Sequence, residues 1–195
     1  MKGEQTMNKE LRTTCEGAVL VALALALSYL KIPIGLAFGG FGGSIDLVMI
    51  PLIVFAVHRG CGWGLGAGLV FGTIKYFIGQ HADISWISII FDYSVAYMFV
   101  GFAGLLQGSH EKGKAWALPV GALVGCVCRF IVHYISGVTV YAQWMPEEFM
   151  GITHMTPALY SLLYNGTYML PNTILAVLLC ALLQRPLRKA MESVT

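Results

Sequence analysis

From residue 115 to residue 138 the chain carries a single charged side chain, Arg129, and stretches nearly as bare recur along most of its length. A run of about 20 apolar residues crosses the hydrocarbon of a bilayer as a helix, because a helix pairs every backbone polar group within its own segment. Six such runs are expected, at residues 15–32, 44–57, 62–79, 86–107, 115–138 and 158–184. The links between them are short, so residues 1–195 read as one membrane domain. Composition agrees: 11% of residues are charged, where a soluble domain carries about 25%. The expected fold class is all-α integral membrane, a six-transmembrane-helix bundle. The sixth run is interrupted by Asn165-Gly166 and Pro171-Asn172, breaks that lipid tolerates only where they are packed in protein or line a cavity.

Basic residues set the orientation. Lys2, Lys9, Arg12, Arg59, Lys112, Lys114, Arg185, Arg188 and Lys189 fall on one side of the expected spans. The other side holds Lys31 with Asp83, Glu147 and Glu148. Cytoplasmic segments are the Lys/Arg-rich ones, so both termini are expected in the cytoplasm and the chain in the cell membrane as a multi-pass protein. A net charge of +2 gives no reason to expect nucleic acid as a partner. The five cysteines are scattered without a CxxC and odd in number, which reads as apolar packing, with no disulfide framework, metal site or cofactor expected.

Two helices carry small residues at spacing four: Ala18, Ala22 and Ala26 in the first run, Gly64, Gly68 and Gly72 in the third. This pattern lets helices approach closely. It serves packing inside the bundle or docking of a second membrane protein, and both readings stand. The glycines of Gly39-Gly40-Phe41-Gly42-Gly43 make the first outer loop a connector or a lid.

Polar side chains in this oily chain converge in depth. With a rise of about 1.5 Å per residue, Asp92 lies about 9 Å below the outer edge, His133 about 7 Å and Arg129 about 13 Å. Arg129, His133 and Gly137 share one helix face, and Asn165 and Lys75 reach a similar level. Intramembrane polar groups are costly and mark functional sites or structural pairs. Here an Asp92–Arg129 ion pair, a Lys75 directed to Asp83 and a hydrogen-bonded core histidine make up the structural alternative. Tyr93, Tyr141, Trp144 and Tyr160 lie close by, and an aromatic-walled pocket with one carboxylate suits a small, flat, cationic or amine-bearing ligand. No GxSxG, HExxH, Walker A or paired-carboxylate arrangement accompanies it, so the chain is not expected to be an enzyme, and any ATP-driven step needs a partner.

The run from Arg129 to Gly137, the segment Tyr141-Ala142-Gln143-Trp144-Met145-Pro146-Glu147 and the run from Tyr160 to Pro171 resemble the thiamine-specific substrate-binding (S) component of energy-coupling factor (ECF) vitamin transporters. Phe91-Asp92-Tyr93 with Ala96-Tyr97 resembles the acidic motif of that family's fourth helix, and Ala18-xxx-Ala22 its docking motif. The resemblance implies high-affinity capture of thiamine from outside, and partnership with a membrane coupling subunit and two cytoplasmic ATPases. It implies that Asp92 pairs with the aminopyrimidine and that His133, Tyr160 and Asn165 are polar ligands. Gly137 would bring backbone close to the ligand, Tyr141 would stack on the thiazolium, and Tyr93 and Trp144 would line the pocket. Asp92 stands where some members carry Glu, and Tyr141 where some carry Trp. Phe41 is the candidate lid aromatic. Three other readings remain open: the same class with a thiamine precursor or another vitamin, a small intramembrane enzyme using His133 and Asp92 as acid and base, and a stand-alone facilitator.

Overall fold

A computed structural model of the chain describes residues 2–34, 42–79 and 86–192. Helix α1 (Lys2–Leu27) leads to a short antiparallel pair, β1 (Ile32–Pro33) with β2 (Ser44–Ile45), which aligns Ile32 with Ile45. Helices α2 (Met49–Arg59) and α3 (Cys61–Ile78) follow, joined through Gly60 alone. The next helix is composite: α4 (Trp86–Ser88), a π-helical stretch Ile89–Val95, α5 (Ala96–Val100), a 3-10 stretch Gly101–Leu106 and α6 (Gln107–Glu111). Then come α7 (Ala117–Thr139), a 3-10 turn Ala142–Trp144, the hairpin β3 (Glu148–Phe149) and β4 (Ile152–Thr153), and α8 (Pro157–Glu192).

Four of the described helical segments are long and apolar enough to cross a membrane: Cys61–Ile78, Ile89–Glu111, Ala117–Thr139 and Pro157–Lys189. Helix α2 is apolar but shorter, at about 16 Å. Its position explains its composition. Met49, Leu52, Ile53, Phe55, Ala56 and Val57 are all buried, so α2 is wrapped by protein where the longer helices turn one side outward. Around it Val21 and Ala24 of α1, Phe71 of α3, Tyr97 and Val100 of α5, and Leu118, Ala122 and Cys126 of α7 complete the core.

Glycine sets the closest contacts. Gly60 has φ of 91°, on the side of backbone space that L side chains avoid, and a Cβ there would stand 2.3 Å from Gln107 Oε1. On α3, a Cβ at Gly68 would stand 2.1 Å from the Tyr97 carbonyl oxygen, and one at Gly72 2.3 Å from that of Tyr93. The glycine stripe therefore packs inside the bundle and fixes how α3 faces the composite helix. The alanine stripe does the opposite: Ala18, Ala22 and Ala26 are exposed on α1.

The expected break in the sixth run does not occur. Helix α8 continues through Asn165-Gly166 and holds both Pro171 and Pro186 inside it. A proline removes one N–H and crowds the carbonyl a turn back, but membrane helices absorb this where neighbouring groups take up the freed carbonyls. Pro171 deprives the Thr167 carbonyl of its usual donor, and on either side of it the hydroxyls of Thr167 and Thr173 donate to the carbonyls of Tyr164 and Met169, each at 2.7 Å, tying the local backbone without taking up that carbonyl. Packing along α7 holds the rest.

Candidate functional site

Asp92 sits in the π-helical stretch, a geometry that recurs at functional sites because it re-aims side chains within a helix. Its two oxygens are engaged from one face of α7. His133 Nδ1 lies 2.9 Å from Oδ1, and the Ser136 hydroxyl donates to Oδ2 at 2.9 Å. Ser136 is completely buried. A carboxylate oxygen accepts more than one hydrogen bond, so both retain capacity for a further donor. The Asp92–Arg129 pair that similar depth allowed is not formed.

Arg129 turns instead to α5. Its Nη2 donates to the Tyr97 hydroxyl at 3.0 Å, and its guanidinium carbon lies 4.1 Å from the Tyr97 ring centroid. Lys75 of α3 donates to the same hydroxyl at 2.6 Å and stands 3.8 Å from Asp46 Oδ2. Lys75 is thus directed to Asp46 and Tyr97; Asp83, the expected partner, lies outside the described residues. Two cations share one phenol oxygen, with a carboxylate beside them. At 6% and 8% exposure, Arg129 and His133 nevertheless leave Nε, Nη1 and Nε2 without a hydrogen-bond partner. Orphaned buried polar atoms are rare enough to require a reason.

Helix α8 supplies the facing wall. Asn165 Nδ2 donates to the Ser161 carbonyl at 2.9 Å and lies 3.4 Å from the His133 carbonyl, while Tyr168 donates to Asn165 Oδ1 at 2.5 Å. Gly137 permits this: a Cβ there would stand 2.2 Å from Ser161 Oγ. The close approach at Gly137 is thus to α8, a neighbour that the spacing of the sequence did not disclose. Tyr160, Tyr164, Tyr168 and Asn172 recur every four residues on this helix. Tyr160 and Tyr164 stack at 5.6 Å, and Tyr160 is buried edge-on beneath Phe149 of the hairpin.

The same row holds the end of the loop that joins β1 to β2. The Tyr164 hydroxyl accepts from the Gly42 amide at 3.0 Å and donates to the Gly42 carbonyl, and the Tyr168 ring lies against Gly43. Asn172 accepts from the Asp46 amide at 2.9 Å and donates to the Ser44 carbonyl at 2.7 Å. The lid candidate Phe41 lies outside the described residues.

Of the expected site residues, Asp92, His133, Gly137 and Asn165 meet between the composite helix, α7 and α8, and Tyr160 joins through Tyr164. Tyr93 packs edge-on with Tyr76 at 5.6 Å. Tyr141 and Trp144 pair at 6.3 Å on the turn after α7, where Trp144 remains 37% exposed. The sequence reading missed Asp46, Ser136, Tyr168 and Asn172 as members of the polar network. The four-residue spacing of the α8 row was a signal available for two of them. Ser136 and Asp46 gave none.

Residues 14–192 match the family described as Thiamine transporter protein (Thia_YuaJ). The chain is 30% identical to the thiamine transporter ThiT of Bacillus subtilis (strain 168), over 90% of this chain and 92% of that protein. It is 27% identical to the thiamine transporter ThiT of Lacticaseibacillus paracasei, over 90% of this chain and 88% of that protein. Among solved structures it resembles ThiT from Listeria monocytogenes, with a TM-score of 0.78, 25% identity, and coverage of 93% of this chain and 97% of that one. A match over nearly the whole length to thiamine transporters identifies the chain as a transport protein and not an enzyme: it belongs to the thiamine transporter family.

Proposed function

We propose that this protein binds thiamine from the outer side at the Asp92–His133–Asn165 site, as the S-component of an ATP-driven ECF uptake system. Six spanning helices with cytoplasmic termini in the cell membrane complete the reading, supported by the nine basic residues on one side. The observation that carries it is the pairing of opposite hydrogen-bonding poles in one buried place. Asp92 accepts, whereas Arg129 Nε and Nη1 stand without an acceptor and His133 Nε2 has no partner. An aminopyrimidine presents a donor amine beside acceptor ring nitrogens, which is the complementary edge. Tyr141 and Trp144 at the rim offer ring faces to a thiazolium. The exposed Ala18, Ala22 and Ala26 favour a coupling subunit on α1, and the absence of any nucleotide motif leaves ATP hydrolysis to two partner ATPases.

Calorimetric titration of thiamine into the purified protein tests this reading. Tight one-to-one binding is expected, weakened by about 10- to 100-fold in Asp92→Ala, the worth of a hydrogen bond to a charged group. No heat from the unaltered protein would sink it. A second reading, thiamine monophosphate as cargo, is favoured by the unpaired Arg129 nitrogens. It requires Arg129→Gln to weaken the phosphate ester more than thiamine itself.

A further inference from the structure

We propose that Asp46 determines which sign of charge the ligand site accepts. It is a specificity-determining carboxylate that touches no ligand and acts through Lys75 and Arg129. The inference rests on the reading above, in which a ligand carrying a thiazolium binds at Asp92, His133 and Asn165.

Asp46 directly follows β2, and the chain around it fixes its place. The Val48 amide donates to its Oδ1 at 3.2 Å and the Ser44 hydroxyl to its Oδ2 at 3.1 Å. Its own amide donates to Asn172 Oδ1 at 2.9 Å, and Asn172 donates in turn to the Ser44 carbonyl at 2.7 Å. These ties hold the carboxylate inside the bundle, with its side chain 2% exposed. A charge buried this deeply is tolerated only with compensation. Lys75, 3.8 Å from Oδ2, contributes to it.

One ring carries the pair toward the site. Lys75 donates to the Tyr97 hydroxyl at 2.6 Å, and Arg129 donates to the same oxygen at 3.0 Å. Both cations also lie over the Tyr97 ring, 4.9 and 4.1 Å from its centroid, and Phe71 packs edge-on against that ring at 4.7 Å. Among the described residues Arg129 forms no ion pair, so its charge is met by Tyr97 and by the field of Asp46 beyond it. Arg129 stands one helical turn from His133 on α7, which brings the charge of this cluster to the ligand. Charges in a packed interior are screened far less than at a surface. At an effective dielectric of about 20, one unit charge acting across a few side chains changes affinity by about tenfold. A cationic ligand gains that factor from Asp46 and loses it to each cation beside Tyr97.

Calorimetric titration of thiamine into variants that keep shape and remove charge tests this. Asp46→Asn retains an acceptor for the Val48 amide and should weaken thiamine binding by about tenfold. Lys75→Gln retains a donor for the Tyr97 hydroxyl and should tighten it by about tenfold. The double variant should return close to the affinity of the parent. Opposite signs are the signature, because a merely structural role weakens binding in both single variants. Failure of Asp46→Asn to weaken thiamine, or of Lys75→Gln to tighten it, would overturn the assignment. If Asp46→Asn does not fold, Lys75→Gln decides alone, and only tighter binding upholds the role. No heat from the parent sinks the thiamine reading and this inference together, whereas binding by the parent with the wrong signs sinks this inference alone.

Discussion

Two helices carry the same motif, and the fold treats them in opposite ways. Gly64, Gly68 and Gly72 on α3 are buried, with the carbonyls of Tyr97 and Tyr93 closer than any Cβ would allow. Ala18, Ala22 and Ala26 on α1 are exposed, while the other face of the same helix buries Val21 and Ala24 and lies against Phe55 at Gly17. Small residues at spacing four permit close approach but do not name the neighbour. On α3 the neighbour is inside the chain. On α1 the stripe faces no other element of the chain among the described residues, and it is the face assigned above to the proposed coupling subunit.

The contrast can be broken most severely at Gly68. Gly68→Leu drives a side chain into backbone that cannot move, and a cost of about 3 kcal/mol or more is expected. In a chain of this size that lowers the thermal midpoint by roughly 10 °C. A midpoint within a degree or two of the parent would mean that α3 is not packed as described. Ala22→Trp examines the other stripe: thiamine binding and midpoint should persist, while ATP-coupled uptake in vesicles with the partner module should drop by about tenfold. Normal uptake would remove α1 as the docking face.

Gly137→Ala probes a third close contact, between α7 and α8. The added methyl meets Ser161 Oγ, which is itself held by the Tyr134 carbonyl at 2.9 Å. A loss of about 1–2 kcal/mol is expected, together with weaker thiamine binding because Asn165 rests on Ser161. Unchanged binding in calorimetry would separate Gly137 from the site. The smallest effect belongs to Gly66→Ala, where an added Cβ meets nothing within 4 Å. Helix propensity alone predicts a gain of up to about 1 kcal/mol, and a lowered midpoint would show that this face of α3 is not open.

Much of the architecture was readable because helix position along the chain converts directly into depth. The bare run around Arg129 predicted α7, and three basic residues far apart in sequence but assigned to one side, Lys9, Arg59 and Arg188, line one cavity. Asp92, His133 and Asn165 were placed at one level from spacing alone, and the tertiary fold joins them. The α8 breaks were misjudged for a local reason. Gly and Pro weaken a helix when it stands alone, and here packing on α7 and the Asn172–Ser44 contact accompany a helix that continues through them.

Sequence by itself therefore determined the long apolar helices and the family. Tertiary structure alone decided who faces whom. Asp92 and Arg129 were expected within a few ångströms in depth, yet Asp92 takes His133 and Ser136 while Arg129 takes Tyr97. Asp46, between β2 and α2, enters beside Lys75 without any cue in its own neighbourhood. The physical reason is that a rise per residue sets height, whereas the rotation of one helix against another is set by packing. Here the α3 glycines against Tyr93 and Tyr97, and Gly137 against Ser161, make that choice.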